Sequence, residues 1–290
     1  MANNLGDVVS KFTTRLDQVL VQESKTSDLN LNQDLLGEYQ GNGEIKLANL
    51  ALSGLADYDR AKGFASGDIA LTWKSYKLEF DRGREFSIDA LDDEEREMLI
   101  SANVMAQFAR EKVTPEVDAI RFARLCENAG EHKEETLESA DAAWKAVLLA
   151  EESMQDNGAD IASCILYVTP AINRLLREAM PWRMGQAETP DTRITTFDGM
   201  KMVVVPQSRF YSAVDVKDDG YEKSSSGRDV QFIVVNPQAA AALQKHEKIR
   251  YFAPDVNQDK DAHKWQYRLY HDLLVYEGKK GLIYASLKSE

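Results

Sequence analysis

The sequence predicts an α+β fold. Three observations carry that expectation. Strand-like and helix-like segments alternate through the middle of the chain. Hairpin patterns stand near both ends, before residue 92 and again over residues 264–287. No uninterrupted βαβ series runs the whole length, which argues against a doubly wound sheet. At 290 residues the chain has enough material for one large or two small domains, each with its own core.

The first 41 residues read as an arm. Val8, Phe12, Leu16 and Val19 recur at spacings of four, four and three, so a short amphipathic helix with one apolar stripe is expected. The polar stretch QESKTSDLNLNQD follows. Such an arm cannot bury enough surface alone. Val8, Phe12 and Leu16 are therefore expected to lie on another subunit.

Residues 42–91 read as strands. IKLANLAL is one candidate; IALTWKSYKLEF and REFSIDAL are two more, flanking Asp81-Arg82-Gly83. Tyr76, Leu78 and Phe80 alternate before that triplet, and Phe86, Ile88 and Ala90 after it. The pattern predicts a hairpin turning at Asp81–Gly83, with Gly83 supplying a positive φ. Arg82 and Arg84 would then stand at a tip, where they could meet acids of a neighbouring copy. The fifteen residues from Asp81 to Glu95 hold seven carboxylates, which raises the question of a catalytic or metal site. The local pattern gives each an ordinary task, because Asp92, Asp93, Glu94 and Glu95 suit the cap and first turn of a helix.

That helix is expected to be broad-faced. Met98, Ala102, Met105, Ala109 and Val113 form one stripe, widened by Ile100, Val104 and Phe108. Thr114-Pro115 should kink or restart it, and PEVDAIRFARLCENA continues it. LESADAAWKAVLLAEESMQDNG predicts a second helix, ending at Asn157-Gly158. ILYVTPAINRLL and FIVVNPQAAAAL share one signature: apolar run, Thr or Asn cap, proline, helix. TFDGMKMVVVPQSRFY reads as a turn and strand, and VDVKDDGYEKSSSGRD as a polar surface loop. KWQYRLYHDLLVYEGKKGLIYASL reads as a hairpin around Glu277-Gly278.

Chemistry-bearing motifs are scarce. There is no phosphate loop, no dinucleotide fingerprint, no GxSxG elbow and no HExxH pair. His132, His246, His263 and His271 are scattered, and Cys126 and Cys164 are far apart. No catalytic residue, cofactor or metal is expected. Asp255, Asn257, Asp259 and Asp261 imitate a calcium loop, but Lys260 replaces its glycine and Gln266 its closing glutamate. A metal-dependent hydrolase built on Asp255, Asp259 and Asp261 is the enzymatic alternative. The net charge of −13 disfavours sequence-specific nucleic-acid binding. No apolar run approaches membrane-spanning length, and MANNLGDVVSKF lacks the layout of a secretory signal, so a protein made and kept in cytoplasm is expected.

Two blocks carry a resemblance. One is GLADYDRAKGFASGDIALTWKSYKLEFDRGREFSIDALDDEE, residues 54–95, running on to NVMAQFAREKVTPEVDAIRF. The other is IRYFAPDVNQDKDAHKWQYRLYHDLLVYEGKKGLIYASL. Both resemble major capsid proteins of tailed bacteriophages, whose shell fold is shared with herpesvirus capsids and encapsulins. The likeness is of whole pattern rather than of a catalytic signature.

The resemblance implies a division of the chain. Residues 1–41 would be the N-terminal arm and 42–91 an extended hairpin loop. Residues 92–134 would be a peripheral domain with its spine helix, 135–247 an axial domain, and 248–290 the peripheral C-terminal hairpin. It implies a structural protein that self-assembles through pentamers and hexamers into an icosahedral head enclosing double-stranded DNA, without an enzymatic role. Partners would be copies of itself, with separate scaffolding, portal and decoration proteins. The place would be the virion, after assembly in host cytoplasm. An encapsulin-type compartment shell is the alternative within the same fold.

Overall fold

The computed structural model describes residues 24–30, 44–52, 69–89, 105–179 and 196–289. The expected arm contacts Val8, Phe12 and Leu16, and the helix start at Asp92–Glu95, lie outside them.

A six-stranded sheet forms the centre. Its strands are β4 (Glu131–Glu135), β5 (Ile165–Val168), β6 (Thr196–Phe197), β7 (Met200–Val204), β10 (Val230–Val235) and β13 (Ile283–Lys288), in the order β4-β13-β10-β5-β7-β6. Every residue of β5 and β10 is buried. Continuous apolar runs of this kind fit strands covered on both faces. One face carries α2 (Ala140–Asp156) and α3 (Pro170–Ala179), which bury Val147, Met154, Leu175 and Leu176 against Leu166, Val168, Phe232 and Val234. The other carries α1 (Thr114–Glu127), where Phe122 and Leu125 meet Tyr167, Ile233 and Ala285.

The expected caps are in place where the helices follow them. Thr169 Oγ1 accepts from the Ile172 N–H as expected, and Ser139 Oγ, which the sequence reading did not single out, accepts from the Ala142 N–H. Gly158 closes α2 at φ +79°. Asp198 and Gly199 turn β6 into β7 with positive φ at both residues, which is the primed hairpin geometry.

The helix through Thr114-Pro115 neither stops nor restarts; it runs on through a π-helical turn. Residues 105–108 are helical, Ala109–Val113 form a π-helical turn, and α1 follows without a break. Proline has no N–H to give and its ring crowds the preceding turn. The wider turn relieves this: the Thr114 N–H and Oγ1 both donate to the Ala109 carbonyl. Met105, Ala109 and Val113 are buried as the stripe requires. They pack on a second sheet of β11 (Ala240–Phe252), β12 (Ala262–Val275) and β3 (Phe80–Asp89), against Trp265, Tyr267 and Leu269.

Four local expectations are corrected. Asp81–Gly83 is not a turn. It lies within β3, whose ten residues pair antiparallel with β12 from Phe80↔His271 to Asp89↔Ala262. The local ribbon is instead β1 (Glu44–Leu52) with β2 (Ile69–Lys77). The chain passes from one sheet to the other at Leu78, which is buried against Leu243 and Leu274.

The segment after Asn236-Pro237 is a strand, not a helix. The Asn236 side chain accepts from the Gln238 N–H, and its carbonyl from the Ala239 N–H, making a turn. Ala240 and Ala242 then face the main core beside Val275 and Leu273, while Ala241 and Leu243 face the cluster around Leu274. Two-sided burial overrides alanine's helix preference. VDVKDDGYEK is a hairpin of β8 (Val214–Lys217) and β9 (Gly220–Lys223), turning at Asp218-Asp219. β12 and β13 do not pair with each other. A 3-10 helix, Glu277–Leu282, separates them, and β13 enters the six-stranded sheet between β4 and β10.

Candidate assembly surface

Arg82, Gly83 and Arg84 stand mid-strand on β3, opposite Leu269, Arg268 and Tyr267. Both arginines reach across to the β8–β9 hairpin. Arg82 is half-buried; its Nε donates to Glu116 Oε1 at 2.6 Å, and Nη2 to the carbonyls of Lys217 at 2.6 Å and Gly220 at 3.4 Å. Arg84 donates to the Asp218 carbonyl at 3.0 Å and to Asp219 Oδ1 at 3.2 Å, in an exposed setting. The two side chains therefore clamp a hairpin of their own chain. Gly83 is needed for closeness rather than for positive φ: a Cβ there would lie 3.0 Å from the Tyr267 carbonyl oxygen. The expected tip is thus an intramolecular seam. Any contact Arg84 makes with another copy must compete with Asp219.

Residues 24–30 are fixed through a residue that the sequence reading passed over. Asp118 is fully buried on α1. Its carboxylate accepts from Ser24 Oγ at 2.8 Å, Thr26 Oγ1 at 2.8 Å, and the N–H groups of Lys25 at 3.0 Å and Thr26 at 3.3 Å. Arg209 reaches it from the far side at 3.3 Å. Arg121, also buried, donates to Thr26 Oγ1 at 2.9 Å. Leu29 then enters the main core, and Lys201 pairs with Asp28 at 2.6 Å. Residues 24–30 are therefore seated by charge and hydrogen bonds, with one leucine as the apolar anchor. The signal was present in the sequence: Asp118 shares the stripe of Phe122 and Leu125, where an unpaired carboxylate would be costly.

His271 lies beside this seam on β12. It is 1% exposed and stacks on Phe80 at 5.9 Å between centroids. Burial, with Arg121 and Arg82 adding to it, holds its imidazole down at about 3. The ring is neutral at physiological pH. Burial likewise pushes the Cys126 thiol up to about 12 and the Cys164 thiol up to about 11, so neither is poised as a nucleophile. Asp259 is bound by Lys264 at 2.9 Å, and among the described residues no three His, Cys, Asp or Glu side chains form a group fit to hold a metal ion. The structure does not bring Asp255, Asp259 and Asp261 together as a ligand set.

Three outcomes are expected of the isolated subunit. Arg82→Ala leaves half-buried Glu116 without its cation and should cost about 1–3 kcal/mol in denaturant unfolding, whereas Arg84→Ala should cost about 0.5 kcal/mol or less. Equal costs would show that the hairpin clamp is not centred on Arg82. Asp118→Ala should destabilise by about 3–5 kcal/mol, since buried Arg121 and partly buried Arg209 lose their counter-charge. Protease cleavage within residues 24–30 should rise in parallel; unchanged cleavage would separate the seam from the arm. The third concerns pH. The folded pKa of His271 lies below its unfolded value near 6.5, so its contribution is complete above about 6.5 and falls as pH drops toward about 3. His271→Gln should remove a slope of up to about 1.4 kcal/mol per pH unit in that window. Identical pH profiles for the two proteins would refute it.

No family model and no curated protein matches this sequence. Solved structures do match its fold. The capsid structure of the cyanophage P-SCSP1u superposes with a TM-score of 0.61 at 11% identity, over 91% of this chain and 98% of that one. The mature capsid of bacteriophage PhiM1 gives 0.61 at 11% identity, over 86% and 82%. A virus-like particle from Pyrococcus furiosus gives 0.57 at 9% identity, over 96% and 98%. The chain has the α+β shell fold of tailed-phage major capsid proteins.

Proposed function

We propose that this chain is the major capsid protein of a tailed phage, a structural rather than catalytic subunit. Its copies would assemble through pentamers and hexamers into an icosahedral head around double-stranded DNA. One observation carries the reading: the fold agrees with two phage capsid structures over most of both chains. Two features support it. The net charge of −13 suits a wall that holds a polyanion without binding it tightly. The segment 24–30 is itself seated on α1 through Asp118, so part of the proposed arm has a fixed place on the subunit.

The further partners follow from the same reading: separate scaffolding, portal and decoration proteins, with assembly in host cytoplasm and the virion as final location. The division into arm (1–41), extended loop (42–91), peripheral (92–134 and 248–290) and axial (135–247) parts is proposed with its boundaries moved to follow the sheets. β4 (Glu131–Glu135) and β13 (Ile283–Lys288) would go with the axial sheet that contains them, and β11 (Ala240–Phe252) with the peripheral β12 that it pairs with. The likeness to a virus-like particle favours one second reading, a shell whose content is protein, as in an encapsulin-type compartment.

Expression of the chain, alone and with the scaffolding gene of its genome, followed by sedimentation and electron microscopy, decides between these. Closed particles are expected. A persistent compact monomer in both settings would end the shell reading. Particles that package a protein cargo, with no DNA taken up in the presence of a packaging motor, would favour the compartment.

A further inference from the structure

Among the described residues the exposed large apolar side chains are Leu148 at 38%, Leu149 at 47% and Val256 at 61%. The first two are adjacent on α2. The helix does not need them for docking, because Ala143, Ala146, Val147, Ala150 and Met154 already bury its inner face. Beside Leu149 a groove of about 440 Å³ opens between α2 and β4. Glu131, Glu152 and Asp156 line it; the one cation there, Lys133, is drawn to Glu135 at 3.3 Å. This is the outer margin of the layer, because β4 ends the six-stranded sheet.

The chemistry of this margin restricts its partner. A two-fold contact through it would place these carboxylates against their own copies, which costs energy. A partner must bring apolar cover for the leucines and positive charge for the acids. Arginine can supply both, its aliphatic stem lying on leucine while its guanidinium meets a carboxylate. α3, which lies in sequence between β5 and the β6–β7 end of the sheet, presents exposed Arg174 and Arg177. Arg174 is shared with Glu178 at 2.5 Å.

We infer that the α2–β4 margin of one copy docks head to tail on the α3 surface of a second copy, covering Leu148 and Leu149 and setting Glu152 and Asp156 against Arg174 and Arg177. The inference rests on the shell-forming reading and names one surface by which it is carried out. Such a contact joins two different surfaces, so repetition about an axis closes a ring.

Three variants test it, each assembled beside the wild type and counted by electron microscopy. Leu148→Asp with Leu149→Asp should keep its circular dichroism and melting temperature, because neither side chain is buried, and should lose assembled rings and particles. Glu152→Arg with Asp156→Arg should also lose them. Adding Arg174→Glu and Arg177→Glu in the same chain should restore them, which decides the matter even if the leucine variant fails to fold. Wild-type shells together with full assembly of the leucine and acid variants would overturn this contact alone. So would a failure of the combined reversal to rescue a folded chain. A wild type that stays monomeric would overturn the shell-forming reading and this contact with it.

Discussion

A carboxylate without access to water must find its partners inside the protein, and Asp118 imposes that condition on the centre of this fold. It sits on α1, between the six-stranded sheet and the three-stranded one. Its partners come from residues 24–26 and from Arg209, which are far apart in sequence. Arg121 adds a buried positive charge one turn along and is tied to the same Thr26. The apolar core fixes the helix against the sheets. The charges fix what may dock on the helix, and in which register. That separation of tasks is a physical reason to keep a buried ion cluster where leucines would bind more simply.

The same helix organises the outer seam. Glu116 holds Arg82 of β3, and through it the β8–β9 hairpin; Arg124 reaches Glu127 at 2.8 Å and Asp272 at 3.4 Å, with Phe80 beneath it at 5.4 Å. Successive faces of one helix therefore address the arm, the hairpin and both sheets. The π-helical turn before it matters here, because an extra residue in a turn rotates everything that precedes it relative to α1. Met105 and Ala109 reach Trp265 and Tyr267 across that change of phase.

What could be read from the sequence was local, and what could not was distant. Thr169-Pro170 and Asn236-Pro237 look alike. At the first, the cap and the proline sit on a helix. At the second, the following alanines line two cores at once and extend. Nothing within ten residues separates the cases; the partners Leu273 and Val275 do, and they lie more than thirty residues on. Arg82-Gly83-Arg84 suggested a turn for the same reason. Its pairing partner is β12, some 180 residues away, so local composition could not reveal a strand. The caps and the apolar runs of β5 and β10 were legible because short-range pattern determines them; the α+β class was read correctly although neither hairpin that pointed to it forms as expected. Asp118 was legible in principle, as a charge in an apolar stripe. The overall architecture was reached through likeness to a family rather than through the local rules.

The position of β13 bears on the order of events during synthesis. It lies between β4 and β10, so two parts of the sheet made much earlier are joined only through the strand made latest of the six. Until Lys288 has left the ribosome, β4 has no neighbour in that sheet. A nascent chain therefore cannot present a finished layer to the copies already released around it. Translation itself keeps this layer open until β13 has been made.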